Sequence, residues 1–337
     1  MWVETLKIHN CRILREVDIE FSPSLNIING QNGSGKTSLL EALTLLSKGR
    51  SFRTSRIAEV INYDKSSVLI ASTIQSNSGI ITKIGIEKLV GKTHIRINQK
   101  DIHSQSELSR FLPITVIHPD SIKLITGSPS ERRAYIDWLC FYSFPSFYEN
   151  WKSYQHILKQ RNSCLKNKAH RYALSTWTDK LIDLQPVIHD FRSKALDKLK
   201  PQMIDIASEL LGDVSCDIEL KSGVPLNVEF DKQGLSDFYA EKVETDIKFG
   251  RTNSGVHRAD LNISLNGIPA VQSASRGQLK LLSISLLLAQ SNAINSKGDK
   301  GIIIIDDVAA ELDEANKNNL LNYLQELNQQ LILTNTD

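Results

Sequence analysis

Gly30-Gln31-Asn32-Gly33-Ser34-Gly35-Lys36-Thr37 has the spacing G-x-x-x-x-G-K-[ST]. The chemistry of a phosphate cradle asks for these residue types. Glycines let backbone N–H groups turn toward an anion with no Cβ in the way. A helix opening at the lysine adds the partial positive charge of its N-terminus. The lysine reaches the β- and γ-phosphates of a nucleotide, and the threonine hydroxyl suits Mg²⁺. Gly30, Gln31, Asn32, Gly33, Ser34, Gly35, Lys36 and Thr37 are therefore expected to hold ATP, with Thr37 on the metal. Far along the chain, Gly301-Ile302-Ile303-Ile304-Ile305-Asp306-Asp307 is an apolar run ending in two carboxylates. Ligands of α/β sheets sit beyond the C-terminal ends of the strands. Asp306 is expected to hold Mg²⁺ through water, and Asp307 to orient or deprotonate an attacking water. With Lys36 they form the expected catalytic set. Alone, two acids after a strand also read as a solvated turn; the glycine loop is what favours the metal.

A third run, Ser275-Arg276-Gly277-Gln278-Leu279-Lys280, precedes a long helical pattern. A serine hydroxyl and free N–H groups at a helix start can meet an anion, or simply cap the helix.

The elements that must position these groups follow from the hydrophobic pattern. Val17 to Phe21 alternates, as in a half-buried strand, while Leu25 to Ile28 is nearly continuous and predicts a covered strand. Lys36 to Leu46 is apolar on nearly all sides and predicts a buried helix. Segments 68–74, 80–86 and 93–97, rich in Ile, Val and Thr, predict an antiparallel meander. From about 129 to 212 the period becomes helical, with Trp177, Leu181, Leu184, Ile188, Phe191 and Leu199 on one stripe. Pro186 lies inside it and predicts a kink or a break. Leu226, Val228 and Phe230 alternate as a strand. Leu261 to Leu265 alternates into Asn266-Gly267, a hairpin turn signal. Ile302 to Ile305 and Leu331 to Leu333 read as parallel strands. Lys36 and Asp306 lie 270 positions apart, so a whole domain must leave the sheet and return between them.

Composition bounds the rest. The 337 residues are 41% apolar and 23% charged, as in a globular chain of two domains. No apolar run is long enough for a signal sequence or a membrane span, and a cytoplasmic protein is expected. Cys11, Cys140, Cys164 and Cys216 are scattered and read as free thiols. A net charge of +2 gives no whole-chain case for nucleic acid. Residues 151–200, however, hold eleven Lys/Arg against four Asp/Glu. Lys152, Lys159, Arg161, Lys166, Lys168 and Arg171 read either as DNA-phosphate contacts or as a solvated helical face. Arg50, Arg53 and Arg56 form a second basic group. Trp138, Phe141, Tyr142, Phe144, Phe147, Tyr148 and Trp151 read as packing rather than base-stacking groups.

The order of the blocks is similar to one family. The 275–280 run resembles the signature motif of ABC ATPases, and Val308 to Asp313 falls where those proteins carry the D-loop. Asn10-Cys11-Arg12, Leu39-Leu40-Glu41-Ala42 after the glycine loop, Gly49-Arg50-Ser51-Phe52-Arg53 and His118-Pro119-Asp120 match blocks of RecF, a bacterial relative of the SMC ATPase heads. Gly127-Ser128-Pro129-Ser130-Glu131-Arg132-Arg133 and Gly255-Val256-His257-Arg258 match further blocks. The chain departs at Val256, usually proline, and at Ala259, often aspartate. RecF proteins carry aspartate, as at Asp307, where ABC proteins generally have glutamate, which implies slow hydrolysis. Thr334-Asn335-Thr336-Asp337 stands where many ABC proteins have a histidine, and a further C-terminal stretch is an open expectation.

The resemblance implies an α/β fold: a P-loop ABC/SMC-type ATPase head built from residues 1–118 and 251–337, with an inserted, mainly helical arm at 119–250. It implies Ser275, Arg276, Gly277 and Gln278 contacting, in trans, the ATP of a second copy in a homodimer. It implies ATP-driven closure on double-stranded DNA near gaps and junctions, and partnership with RecR and RecO in loading RecA. The motifs alone also allow an ATPase subunit of a membrane transporter, although the insertion is long for one.

Overall fold

In the computed structural model residues 1–167, 171–294, 300–307 and 312–335 are described. The chain divides into two compact units, 1–122 with 206–212 and 276–337, and 123–205 with 213–275.

The first unit opens with β1 (Trp2–Cys11), β2 (Leu14–Glu20), β3 (Leu25–Asn29) and α1 (Lys36–Lys48). The meander follows as β4 (Ser67–Gln75), β5 (Ile81–Leu89), β6 (Lys92–Ile97) and β7 (Lys100–Ile102). Then come α2 (Gln105–Phe111) and β8 (Ile114–Ile117). The second unit carries α3 (Lys123–Thr126), α4 (Pro129–Ser143), α5 (Phe147–Lys166) and α6 (Arg171–Leu211), whose last residues group with the first unit. It continues through β9 (Cys216–Lys221), α7 (Lys232–Phe249), β10 (Asp260–Leu265), β11 (Ile268–Pro269) and α8 (Ala270–Ser273). The first unit resumes with α9 (Arg276–Ile294), β12 (Ile302–Ile305), α10 (Glu314–Glu326) and β13 (Leu331–Asn335).

Two sheets build the first unit. One is antiparallel, in the order β2-β1-β4-β5-β6-β7, and the other is parallel, in the order β3-β13-β12-β8. Helix α1 buries every residue from Ser38 to Ser47, and its leucines share one core with the inward residues of both sheets. Strand β12 is buried at all four positions, as its β-branched run requires. Strand β3 departs from expectation. It ends the parallel sheet, and Leu25 and Ile27 are 41% and 55% exposed, because one of its faces has no covering layer.

In the second unit β9, β10 and β11 form an antiparallel sheet. Asn266 and Gly267 turn the β10–β11 hairpin with φ of +49° and +76°. The boundary expected at 251 needs correction. Pairing of β10 with β9 and the bridge from Arg132 to Asp260 place 251–275 with the helical unit. The boundary expected at 119 falls instead between 122 and 123. The strand expected at 226–230 is absent. Pro225 starts a turn there, Val228 N–H donates to Pro225 O at 3.1 Å, and Leu226 is almost fully exposed. No break occurs at Pro186: α6 runs through it and through Pro201.

Candidate functional site

The glycine loop joins the end of β3 to the start of α1. Gly33 and Gly35 have φ of +81° and +100°, the left-handed region that side chains disfavour. A Cβ on Gly35 would also lie 2.7 Å from Leu14 Cδ2. Gln31 to Ser34 are exposed, so the loop's concave backbone is open to a ligand. The Lys36 ammonium donates to the carbonyls of Gly30 and Gln31, which places it across the mouth of the loop.

Strand β12 lies between β8 and β13, and the chain leaves it at Asp306, whose N–H donates to Ile117 O at 2.8 Å. Asp306 is 6% exposed. Its Oδ1 accepts from Thr37 Oγ1 at 3.1 Å and from Thr334 Oγ1 at 2.9 Å. Burial holds this carboxyl above its ordinary pKa, and Asp307 adds to that. The two hydroxyls and the charge of Arg53 pull it back. A desolvated carboxylate beside a threonine hydroxyl is a donor pair that fits a small divalent cation. Among the described residues no group of three or more His, Cys, Asp or Glu could hold a metal by itself. Most of the coordination would therefore come from phosphate and water. Asp307 has φ of +49°, and its N–H donates to Thr334 Oγ1 at 3.0 Å. One hydroxyl thus fixes both acids. Sequence reasoning marks Thr334 only as standing in place of a histidine. The signal for it is positional: β13 pairs with β12 through Leu333 and Ile305, so the next residue of each strand lies level.

Behind the loop, three blocks that are separate in the sequence meet. Glu41, on α1, is 0% exposed. It accepts both Nε and Nη2 of Arg12 at 2.9 Å, and the Ser51 hydroxyl donates to it. Ser51 Oγ in turn accepts from the backbone N–H groups of Arg53 and Thr54 at 2.9 and 3.2 Å. The buried carboxylate therefore ties the loop of exposed Arg50, Arg53 and Arg56 to the helix that opens at Lys36. Ser275, Arg276 and Gly277 are exposed at the start of α9, and burial begins at Leu279. Val308 to Glu311, most of the expected D-loop, lie outside the described residues.

Lys152, Lys159 and Lys166 are exposed and recur every seven residues on α5, which puts them on one helical face. Arg161 is a correction. It is 0% exposed, with Nη1 on Asp246 at 2.8 Å and Thr252 at 2.6 Å and Nε on Thr178 at 3.0 Å, so it is core rather than DNA contact. Lys168 and the Arg171 side chain lie outside the described residues. The aromatic residues from Trp138 to Trp151 form ring pairs with one another or with Tyr154 and Phe191, as packing groups do.

A glycine loop at a sheet end, an acid on a non-adjacent parallel strand, a second antiparallel sheet and an inserted helical unit define an ABC/SMC-type ATPase head. The RecF/RecN/SMC N terminal domain family matches residues 2–337. The DNA replication and repair protein RecF of Thioalkalivibrio sulfidiphilus is 36% identical over 99% of this chain and 92% of its own length. RecF of Cellvibrio japonicus is 36% identical over 100% and 92%. A solved recombination mediator protein, RecF–ATP of the RecFOR pathway, superposes with a TM-score of 0.89 at 28% identity over 100% and 92%. An SMC head bound to the C-winged helix domain of ScpA shares the fold, with a TM-score of 0.60 at 16% identity over 99% and 89%. The chain belongs to the RecF family of DNA replication and repair proteins.

Proposed function

We propose that this chain is an ATP-dependent, DNA-binding switch of the cytoplasm. It closes as a homodimer on double-stranded DNA at single-strand/double-strand junctions and, with RecR and RecO, promotes RecA loading. The observation that carries the reading is the meeting of Thr37, Asp306 and Thr334 beside the glycine loop. The N–H groups of 30–37 would cradle the triphosphate, Lys36 would face its β- and γ-phosphates, and Thr37 and Asp306 would hold Mg²⁺. Bound Mg·ATP supplies the γ-phosphate whose loss reopens the switch. Thr334 fixes the backbone of Asp307 next to Asp306, where its carboxylate can orient a water. Aspartate is one methylene shorter than glutamate and reaches less far, which fits weak, slow hydrolysis.

The exposed Ser275, Arg276 and Gly277, with Gln278 behind them, can meet the nucleotide of a second copy, and reciprocity makes such a pair two-fold symmetric. The lysine face of α5 offers sequence-independent, salt-sensitive contact with phosphates. The family relation favours this reading over an ATPase subunit of a membrane transporter. Light scattering with and without ATP and duplex tests it. The wild type is expected to double its mass with ATP and to retain duplex, whereas Lys36→Met stays single and releases it. Equal mass and equal retention in every nucleotide state would sink the switch. ATP turnover stimulated by lipid vesicles but not by duplex would favour the transporter.

A further inference from the structure

Two sequence blocks that the nucleotide site does not use, Gly127–Arg133 and Gly255–Arg258, meet inside the helical unit. Arg132 donates Nε and Nη2 to Asp260 at 2.6 and 3.0 Å, and Nη1 to the carbonyls of Ile125 and Gly127. Arg192 donates Nε and Nη2 to Asp137 at 2.7 and 2.9 Å, and Nη1 to Val256 O at 2.6 Å. Each carboxylate is therefore engaged at both oxygens. Two guanidiniums remain. Arg133 makes one hydrogen bond, Nη1 to Ala259 O at 2.8 Å. Arg258, next to Ala259, is exposed and has no ion pair among the described residues.

His257 adds no charge to this group. It lies between the Tyr154 hydroxyl at 2.8 Å and Thr252 O at 3.1 Å, and burial pushes its pKa down to about 4. Burial also lowers the pKa of Arg133, and the charges of Arg192 and Arg258 lower it further, against the opposing pull of Asp260 and Asp137. Four guanidiniums thus share two carboxylates. Holding the fold together accounts for Arg132 and Arg192. It does not account for a planar cation left at the surface beside another with unused donors. Such forks match the oxygens of a phosphate.

We propose that Arg133 and Arg258 form a phosphate-binding site on the helical unit that grips the backbone of duplex DNA. The inference rests on the DNA-binding reading of the chain and adds a contact separate in sequence from the α5 lysines.

The test is duplex affinity of the full chain, with ATP, across a salt series. Every phosphate that the protein no longer neutralises lowers the slope of log K against log salt by about 0.9. Arg258→Gln is expected to show that drop, and Arg133→Gln/Arg258→Gln about twice as much, with several-fold weaker binding. Arg258→Lys, which keeps the charge, is expected to retain most of the slope. ATP affinity and melting temperature of Arg258→Gln are expected to match the wild type. Wild type that binds duplex while Arg258→Gln binds it with the same slope overturns the site alone. Wild type that binds no duplex removes the DNA reading and the site with it. A loss of ATP affinity in Arg258→Gln with unchanged duplex binding also overturns it.

Discussion

At the scale of single residues, Thr334 shows how one hydroxyl sets a carboxylate's charge. It donates to Asp306 Oδ1 and accepts from Asp307 N–H. Burial works against ionisation of Asp306, and the Thr334 and Thr37 hydroxyls work for it. Removing one of them must raise the pKa, so the ionised form, the one that can hold a cation, appears at higher pH. A hydrogen bond to a charged group contributes about 1.5–3 kcal/mol, so the shift is on the order of one pH unit. Thr334→Val is therefore expected to move the acid limb of ATP turnover up by about one unit while ATP binding at neutral pH persists. An acid limb that stays in place in a pH–rate profile would show that Asp306 does not depend on Thr334. Much of this site is legible in the sequence, because a glycine loop before a lysine and an acid after an apolar strand are local patterns. Thr334 has no role there, since its task comes from being level with Asp306 across two strands. The Arg12–Glu41–Ser51 cluster is equally hidden: each residue stands within a separate block, and only packing brings the blocks together.

At the scale of elements, local pattern succeeds where neighbours add little and fails where buried polar groups answer one another. The stripe of α6 is read from its apolar residues alone. On the same buried face lie Gln185 and Arg192, both 0% exposed and both bound to the 250–258 loop or its supports. Pro186 predicts a kink or a break. Each proline removes one helical N–H bond, at a cost of about 3 kcal/mol. Burial of Leu181, Ile182 and Ile188 around one proline, and of Leu199, Met203 and Ile206 around the other, is of a size to offset that. Arg161 misleads in the opposite way: its charge suggests a surface, and its partner, Asp246, lies 85 positions away. That pair also predicts how the unit fails. Asp246→Ala leaves a buried guanidinium without its counter-charge, expected to cost about 3–5 kcal/mol in urea unfolding. Adding Arg161→Leu to that variant is expected to recover part of the loss, because the uncompensated charge is then gone. A double variant no more stable than the single would mean that packing, not charge, holds this junction.

At the scale of the whole molecule, the 270-residue gap between Lys36 and Asp306 correctly requires a head assembled from both ends of the chain. It cannot fix where the insertion ends. That edge is set by β9 pairing with β10, a contact between segments with no mark in local periodicity. The same distribution of parts makes the proposed dimer testable without a structure of it. Each composite site would take its loop from one copy and Ser275 from the other. Lys36→Met spoils the loop, and Ser275→Arg, at an exposed position, spoils the donated start of α9. Either variant alone is expected to lack ATP turnover. Mixed in equal amounts, half the dimers are hybrids, and each hybrid has one site with both parts intact. Turnover is then expected to return to about a quarter of the wild-type rate, since two-fold symmetry gives every dimer two sites. A mixture as inactive as its parts would mean that Lys36 and Ser275 serve the same nucleotide within one chain, or that both sites must be whole before either turns over. Titrating wild type into Lys36→Met separates these two outcomes. Chains working alone keep activity in proportion to the wild type present, whereas obligatory pairs lose it as the square of that fraction.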